Sequence, residues 1–356
     1  MVNAGIPSSA TSLDAPTSRL NSRSGHEGTL APIALFVYNR PEHTRQTLEA
    51  LRANNLAQRS DLFVFADGAK SESGAAAVGA VRKLIRAVDG FKSVTIIERE
   101  RNFGLSKSVI SGITQLCNEY GRAIAVEDDV VTAPDFLAFM NQALQEYADE
   151  PKMFSVCAFN LPIVAPKTYS YDAFCSYRFA CWGWGTWKDR WEKADWSVKD
   201  FPEFMADRAK RRRFNRGGDD LSWLLALHME GQIDSWDIVW AYTHFKYDAL
   251  ALLPVSSKVY NIGMDGSGTH CKRAPFKQHT LASGTSVEYR FPESENIHPY
   301  FVAEVQRLHS PSAVRKLVRY IRRLKPGTKR FNPATPPSEK QDAAACNEPQ
   351  NPKAYR

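Results

Sequence analysis

The chain has 356 residues, of which 43% are hydrophobic and 24% are charged, a composition typical of a globular protein with a sizeable core. Its formal net charge is +7, but nine Lys and Arg residues and no acid lie between Arg307 and Arg330. The rest of the chain is therefore close to neutral. This distribution argues against a general nucleic-acid-binding role, which needs a basic surface on the body of the domain.

The sequence also argues against secretion and membrane insertion. Residues 1–28 are rich in Ser, Ala, Thr and Pro, and they lack the basic start and apolar run of a secretory signal. We expect a disordered leader there. No apolar stretch reaches the ~18 residues that span a bilayer, and the six cysteines show no CxxC or zinc-finger spacing. We therefore expect a cytoplasmic protein, either soluble or peripheral on the cytoplasmic face of the inner membrane.

The first hundred residues after the leader alternate between strand and helix patterns. Short apolar runs predict strands, and periodic segments between them predict helices. The predicted strands are 33–38, 62–66, 93–97 and 123–126, and the predicted helices are 44–54, 75–88 and 106–120. This order predicts an α/β fold with a mainly parallel, twisted sheet and helices on both faces. Ligands bind beyond the carboxyl ends of such strands, where polar residues cluster at 39–40, 67–68, 101–107 and 127–129.

The second half of the chain has a different character. It holds all eight tryptophans, and glycines alternate with tryptophans over 181–187. We expect a mixed α+β region. Trp182 and Trp184 are either core residues or an aromatic platform for the sugar rings of an acceptor, and the sequence leaves both interpretations open.

Three consecutive acids, Glu127, Asp128 and Asp129, follow the fourth predicted strand; we call them the acidic triplet. Like charges raise one another's pKa and repel, and a hard divalent cation such as Mn²⁺ or Mg²⁺ removes that cost because it binds carboxylate oxygens. The alternative is a helix cap, with Asp129 or Asp135 opening the next helix. The position at the end of a buried-type strand in a βα series favours the metal.

Residues 126–136 resemble the metal motif of the N-acetylglucosaminyltransferase I family, in which a similar Ala-Pro-Asp-Phe run follows an acidic triplet. More broadly, residues 32–272 are similar to GT-A (Rossmann-like) glycosyltransferases, including bacterial family 2-like sugar transferases. Weaker matches lie at 38–41, at 67–68, after residue 181 and at 236–237. We accordingly expect a GT-A domain over 29–290, with a nucleotide-binding half (29–135) and an acceptor half (136–290). A C-terminal extension (291–330) and a disordered tail (331–356) would follow.

The resemblance implies a role for each strand-end residue. Asp129 would ligate the metal, and Glu127 and Asp128 would contact the sugar nucleotide. Arg40 would lie near the phosphates with Asn39, since a guanidinium fork suits phosphate oxygens. Asp67 would accept a hydrogen bond from the base ring, and a segment passing close to the donor would contribute Asn102, Gly104, Ser106 and Lys107. The alternatives are turn chemistry at Asp67 and Gly104 and an ordinary surface position for Arg40.

Two further roles come from the acceptor half. Residues 261–270 form a Gly-rich segment that ends in His270, and many GT-A enzymes have a late loop with a metal-binding histidine. His270 is thus a second candidate metal ligand, or an ordinary histidine. An inverting transfer also needs a general base. Asp237 is the candidate because it matches the Trp-Asp pair of the resembling family, and its rivals are Asp219, Asp220 and Asp234.

The basic segment near the C-terminus predicts an amphipathic helix over 312–325, with an apolar stripe on one face and Arg and Lys on the other. Such a helix can lie on an anionic membrane surface or pack its stripe on the domain. Both interpretations stay open.

Together these features predict a metal-dependent, inverting glycosyltransferase that uses a nucleotide-diphosphate sugar. A UDP-sugar such as UDP-GlcNAc is favoured, and the acceptor would be a glycan or lipid-linked saccharide in bacterial surface polysaccharide synthesis. Two alternatives are a sugar nucleotidyltransferase and a catalytically inactive glycan-binding protein. Nucleotidyltransferases carry a Gly-rich basic loop after the first strand, which 38–41 lacks.

Overall fold

The computed structural model describes residues 29–265, 281 and 288–310. The predictions for the leader 1–28, for His270, for the helix 312–325 and for the tail 331–356 lie outside these described residues.

The described part of the chain contains ten strands and ten α-helices, joined by turns and short 3-10 segments. The strands are β1 (Ile33–Val37), β2 (Asp61–Ala66), β3 (Ser93–Glu98), β4 (Arg122–Glu127), β5 (Val130–Thr132), β6 (Met153–Cys157), β7 (Ala173–Ser176), β8 (Trp184–Trp187), β9 (Leu250–Pro254) and β10 (Val259–Asn261). The helices are α1 (Pro41–Arg52), α2 (Ala75–Ile85), α3 (Leu105–Tyr120), α4 (Phe136–Glu146), α5 (Lys188–Trp191), α6 (Phe201–Ala206), α7 (Arg208–Phe214), α8 (Leu221–Met229), α9 (Trp236–Lys246) and α10 (Pro299–His309).

All seven elements predicted for the first half are present. The largest difference at a start is in α1, which begins at Pro41 and not at residue 44. Proline is favoured in a first helical turn because its φ is already helical and that turn needs no N–H donor. The helix therefore starts almost directly after β1, and this places Arg40 at the junction.

The predicted α/β fold with a mainly parallel sheet is confirmed. Eight strands form one sheet in the order β3-β2-β1-β4-β8-β6-β9-β7. The first four strands run parallel to one another, whereas β8 is antiparallel to both β4 and β6. The pair β6 and β9 is parallel, and β7 is antiparallel to β9. The second half thus extends the sheet of the first half.

Burial along the inner strands shows why the sequence carries apolar runs there. All five residues of β1 and all five of β6 are buried. Successive side chains of a strand point to opposite faces, so complete burial means that both faces of the sheet are covered. On α3, Gly112 allows close packing, because a Cβ at that position would lie 2.7 Å from the ring of Phe36.

The tryptophan-rich half packs as core. Trp184 lies on β8, between β4 and β6, and is 1% exposed. Its ring stacks on Trp236 at a centroid distance of 5.1 Å and lies 5.6 Å from Trp191. The platform interpretation is therefore wrong for Trp184, because a central strand covered on both faces offers no surface for a sugar. Trp182 is half-buried against Phe159, and its platform role stays a prediction.

The strand order defines where a ligand would bind. The chain adds β2 and β3 on one side of β1 and then returns to place β4 on the other side. In open α/β sheets this reversal opens a crevice at the carboxyl ends of the two strands. Asn39 and Arg40 follow β1, and the acidic triplet begins at the end of β4. We call this edge the strand-end rim.

Two later segments complete the described structure. The short strand β5, which directly follows the acidic triplet, pairs with β10 in antiparallel fashion. Helix α10 packs on β7, where the rings of Phe301 and Phe174 stack at 4.0 Å. The domain boundary at residue 290 stays a prediction. Within the described residues, no helix combines the length and the hydropathy needed to cross a membrane.

Candidate functional site

Arg40 and two acids of the triplet form the centre of the strand-end rim. Asp128 is 4% exposed and Asp129 is 9% exposed. The Nη2 of Arg40 donates to a carboxylate oxygen of Asp128 and to Oδ2 of Asp129, the latter at 2.9 Å. The hydroxyl of Thr47 donates to the Asp128 carbonyl at 2.9 Å and so ties α1 to the triplet. The structure therefore brings Arg40, Asp128 and Asp129 together, and a guanidinium lies between the two carboxylates.

The triplet carries more negative charge than Arg40 neutralises. Burial raises the pKa of Asp128 to about 6, although Arg40 acts in the opposite direction. Burial also raises the pKa of Glu127, and the charges of Asp129, Asp128 and Asp237 raise it further. For Arg40 itself, burial lowers the pKa, but the two aspartates more than offset this and the net shift is upward. A second cation at this edge would therefore be stabilised.

The segment that follows β10 comes back to the triplet. The backbone N–H of Ile262 donates to the Asp129 carbonyl at 2.8 Å, and Nδ2 of Asn261 lies 3.3 Å from Asp129 Oδ1. Gly263 is needed here, because a Cβ would lie 2.1 Å from Asp129 Oδ2 and 2.9 Å from Arg40 Nη1. The Gly-rich stretch predicted to carry His270 thus starts in direct contact with the rim.

The oxygen atoms at the rim provide only some of the ligands that a hard cation needs. In the described ranges, no group of three or more His, Cys, Asp and Glu side chains is arranged to hold a metal ion. Asp128 and Asp129 do present neighbouring oxygens, and Mg²⁺ is commonly held by one or two carboxylates together with substrate phosphates and water. The described residues therefore suit a cation bound jointly with a diphosphate. They do not form a complete protein cage.

Asp67 connects three predicted donor-site residues. Its Oδ1 accepts from the backbone N–H groups of Gly68 (2.9 Å) and Phe103 (2.8 Å). Its Oδ2 accepts from the Gly104 backbone N–H and from Nδ2 of Asn102, both at 2.9 Å. Two bonds per carboxylate oxygen use the acceptor capacity of the group. In this conformation Asp67 holds the loop before α3, and its predicted contact with a base ring would require an exchange of partners.

Arg99 supports the same loop, and sequence reasoning missed it. The residue is 9% exposed and donates to the hydroxyls of Ser108 and Ser111. Its guanidinium carbon lies 4.5 Å from the ring centre of Phe103, a cation–π contact. Burial lowers its pKa. The available signal was an arginine directly after β3, at the same edge as the other polar residues.

The remaining donor-side predictions are more peripheral. Asn39 is half-buried at the β1–α1 junction, and Lys107 is exposed in the first turn of α3. Ser106 donates to Asp234 Oδ1 at 2.5 Å and so joins α3 to the segment before α9. Asp234 therefore lies beside the donor-side helix.

Asp237 lies near the triplet. It is half-buried in the first turn of α9, and its charge contributes to the raised pKa of Glu127. The hydroxyl of Ser235 donates to Asp237 Oδ1. His228, which the sequence did not single out, accepts from the Ser235 backbone N–H through Nδ1 at 3.2 Å. Burial lowers the His228 pKa, although Asp234 and Asp237 act against this.

The rival bases Asp219 and Asp220 have other partners. Asp220 forms a two-pronged ion pair with Arg178, at 2.8 and 3.0 Å. Burial raises its pKa, but the charge and hydrogen bonds of Arg178, together with the charge of His309 and a backbone hydrogen bond, outweigh burial, and the net shift is downward. Asp219 accepts from the hydroxyl of Ser310 at 3.1 Å. The contact of Asp219 with Ser310 places it beside the end of α10. Asp220 is a weak proton acceptor, because Arg178 holds its carboxylate in the ionised form.

Comparisons with known proteins found similarity in structure only. No family model and no curated protein matched the chain. The chain is similar to a mannosyltransferase from Pyrobaculum calidifontis, solved with GDP-Man and Mn²⁺, at 11% identity and a TM-score of 0.33 over 60% of this chain and 69% of the other. It is also similar to S. aureus TarS, at 9% identity and a TM-score of 0.37, over 66% of this chain and 37% of TarS. A third similarity is to a protein described as a nucleotide-diphospho-sugar transferase from Desulfovibrio desulfuricans, at 12% identity and a TM-score of 0.28, over 47% of this chain and 70% of the other.

Proposed function

We propose that the protein is a glycosyltransferase that takes a sugar from a nucleotide-diphosphate sugar at the strand-end rim. One observation carries the proposal. Arg40 and the acidic triplet meet at the carboxyl ends of β1 and β4, where the strand order reverses. That edge is where open α/β sheets bind nucleotides.

The diphosphate of the donor would bind between Arg40 and the triplet. The planar guanidinium fork of Arg40 matches phosphate oxygens. Asp129, with Asp128 beside it, would hold Mn²⁺ or Mg²⁺, and His270 is the predicted second protein ligand. A bound cation would neutralise the charge that develops on the leaving diphosphate. Since Arg40 now lies between the two carboxylates, donor binding would transfer this guanidinium from Asp128 and Asp129 to the phosphates.

The nucleoside would lie along the neighbouring strand ends. Asp67 holds the loop that carries Asn102 and Gly104 beside β2, and backbone groups of such a loop can approach a nucleoside closely. Asn39 and Lys107 flank this position from β1 and α3. We favour a UDP-sugar such as UDP-GlcNAc, because residues 126–136 resemble the motif of a family that uses that donor.

Asp237 would act as the general base of an inverting displacement. The acceptor hydroxyl oxygen bonds to the anomeric carbon while the bond from that carbon to the diphosphate breaks, and the hydroxyl proton passes to the Asp237 carboxylate. Ser235 orients this carboxylate by its hydrogen bond. The acceptor would be a glycan or a lipid-linked saccharide of bacterial surface polysaccharide synthesis, handled at the cytoplasmic side.

The geometry disfavours the nucleotidyltransferase alternative. Strand β1 ends at Val37 and α1 begins at Pro41, so no phosphate-binding loop fits between them. An inactive glycan-binding protein would have no need of buried, charge-dense carboxylates at a strand end. Nucleotide binding in the titration below would separate a transferase from a glycan-binding protein.

The proposal is tested by calorimetric titration of purified protein with UDP and GDP, with and without Mn²⁺. We expect Mn²⁺-dependent binding of one of them, lost in Asp129→Ala and retained in Asp89→Ala. Asp89 is a suitable control because it is an exposed aspartate whose ion pair with Arg52 lies at the surface. Binding that is independent of Mn²⁺, or unchanged in Asp129→Ala, would overturn the metal assignment. Absence of nucleotide binding under every condition would overturn the proposed function.

A further inference from the structure

A groove of about 310 Å³ lies between α7, the start of α8 and α10. We call it the basic groove. Three arginines line it, Arg208, Arg211 and Arg212, together with the neutral polar residues Asn215, Ser222 and Gln306. Asp219 is the acid in its lining, and its Oδ2 accepts from Ser310. Positive charge therefore outnumbers negative charge in the lining by three to one.

The cations of the groove come from one short segment. Residues 208–216 contain six Lys and Arg and no acid. Two of these have their own partners, since Arg216 pairs with Asp248 at 3.2 Å and Arg213 lies over Phe245 at 4.7 Å. Arg208 and Arg212 are exposed, and the ion pairs found in the described ranges do not include them. They stand four residues apart on α7 and thus lie on one helical face.

This arrangement has a folding cost at Arg208, which lies at the positive N-terminal end of α7, whereas Arg211 and Arg212 lie in the last turn, where the helix dipole favours cations. Like charges four residues apart, such as Arg208 and Arg212, destabilise a helix. A surface that only needed solubility would mix both signs of charge. Concentrated, unneutralised arginines in a concave site are instead suited to an anion, and the guanidinium fork binds phosphate oxygens in pairs. Amide and hydroxyl groups beside them match the hydroxyls of a sugar.

The groove lies one helix length from the candidate general base. Helix α8 carries Ser222 at its start, in the groove, and His228 near its end, beside Asp237. Nine residues of α-helix are about 13 Å long. A saccharide whose anionic group is held in the groove therefore spans a few sugar units before its hydroxyl reaches Asp237.

We propose that the basic groove binds the phosphate or diphosphate group of a phosphorylated saccharide acceptor. Anion binding stands on the groove alone, and only the acceptor assignment rests on the proposed function. The shared chemistry is a phosphate ester attached to a sugar, whether on a lipid-linked diphosphate or on a soluble saccharide phosphate. A concave lining with amide and hydroxyl donors selects a discrete group of this kind over a flat membrane surface.

The test uses inorganic pyrophosphate as the probe, by calorimetry on the full chain without Mn²⁺. The variant Arg208→Gln/Arg212→Gln removes two groove cations. The matched control Lys210→Gln/Lys83→Gln removes two exposed cations that line neither the groove nor the hollow beside it, which Arg213 shares with Arg208 and Arg212. We expect the groove variant to weaken pyrophosphate binding about tenfold or more, and the control about twofold. Equal losses in both variants, or no loss in the groove variant, would overturn the proposal.

Three further arms separate the sources and the two proposals. In the first arm, vesicles containing phosphatidylglycerol are pelleted with each variant. If Arg208→Gln/Arg212→Gln loses vesicle binding but keeps pyrophosphate binding, the arginines contact a membrane and the proposed phosphate site is overturned. A lipid-linked saccharide diphosphate and a soluble saccharide phosphate are then compared as competitors of pyrophosphate, and competition by either one supports the proposal. Asp129→Asn should leave groove binding unchanged, so a failure of donor binding is distinguishable from a failure of the groove. Loss of pyrophosphate binding in Asp129→Asn would assign the anion to the strand-end rim and overturn the groove.

Discussion

The strand-end rim and the basic groove differ in how their charged side chains are paired and buried. At the rim, Asp128 and Asp129 are almost fully buried, and the guanidinium of Arg40 lies between them. In the groove, Arg208 and Arg212 are exposed and share one helical face. An anion that binds at the rim must replace the Asp128 and Asp129 carboxylates as the partner of Arg40. An anion that binds in the groove pairs with Arg208 and Arg212 without breaking any ion pair of the described residues. Substitutions at the rim should therefore affect both stability and chemistry, and substitutions in the groove should affect affinity.

The largest expected effect concerns the acceptor side of the rim. Asp237→Asn keeps the size of the side chain but removes its ability to accept a proton. We expect kcat to fall by about 10²–10⁴-fold, the usual contribution of a general base, with little change in the donor KM. Steady-state kinetics of Asp237→Asn, Asp219→Asn and Asp220→Asn measured together would rank the candidates. An Asp237→Asn enzyme with near-normal kcat beside an inactive Asp219→Asn or Asp220→Asn enzyme would move the base to the rival pair.

Removal of Arg40 tests the exchange of partners at the rim. Arg40→Ala leaves two buried carboxylates without their cation, which costs about 3–5 kcal/mol of unfolding free energy for a buried pair. We expect millimolar Mn²⁺ to restore part of this loss, because a divalent cation can take the place of the guanidinium. Urea unfolding with and without Mn²⁺ measures both quantities. The double variant Arg40→Ala/Asp129→Asn is the control, and rescue that persists in it would place the cation elsewhere.

Gly263 tests the contact between the rim and the segment after β10. In Gly263→Ala, the new Cβ would lie 2.1 Å from Asp129 Oδ2, so either the Asp129 carboxylate or the segment must shift. We expect donor affinity to fall about tenfold, or about 1.4 kcal/mol. Gly79→Ala on α2 is the matched control, since nothing lies within 4 Å of its Cβ and alanine favours a helix. Equal donor affinity in the two variants would show that this segment does not position the donor.

The smallest expected effect is the response to salt. Exposed charges are screened at high ionic strength, and buried pairs much less so. Pyrophosphate binding to the groove should weaken severalfold between about 50 and 500 mM NaCl, while the stability difference between wild type and Arg40→Ala should change by only a few tenths of a kcal/mol. The two quantities are measured by calorimetry and by urea unfolding across the same salt series. If salt weakened the Arg40 ion pairs as much as it weakens pyrophosphate binding, the contrast between a buried rim and an exposed groove would be wrong.

The first half of the fold could be predicted because its signals are local. Apolar runs such as 33–37 are complete strands, and Pro41 marks the start of a helix. The strand-end position of the acidic triplet follows from the same pattern. The burial of Trp184 could not be predicted, because it depends on the insertion of β8 between β4 and β6 from distant parts of the chain.

The side-chain contacts of both sites could not be predicted from the sequence, because they join residues that are distant along the chain. Three of the four bonds of Asp67 join residues 35 to 37 positions apart, and only the folded β2–β3 edge brings them together. The charge run at 208–216 is visible in the sequence, but a groove exists only because Gln306 of α10 packs beside it. Arg40 was expected near phosphates from the resemblance, and its position between Asp128 and Asp129 became evident from the structure.

We have proposed that the strand-end rim breaks the bond between a sugar and a nucleoside diphosphate. The most direct measurement is the release of nucleoside diphosphate from a panel of UDP- and GDP-sugars, with Mn²⁺ present, by wild type, Asp129→Asn and Asp89→Ala. We expect release from at least one donor by wild type and by Asp89→Ala, and release reduced about 100-fold or more in Asp129→Asn. Equal release by all three proteins, or none from any donor with a phosphorylated saccharide acceptor supplied, would contradict the proposal.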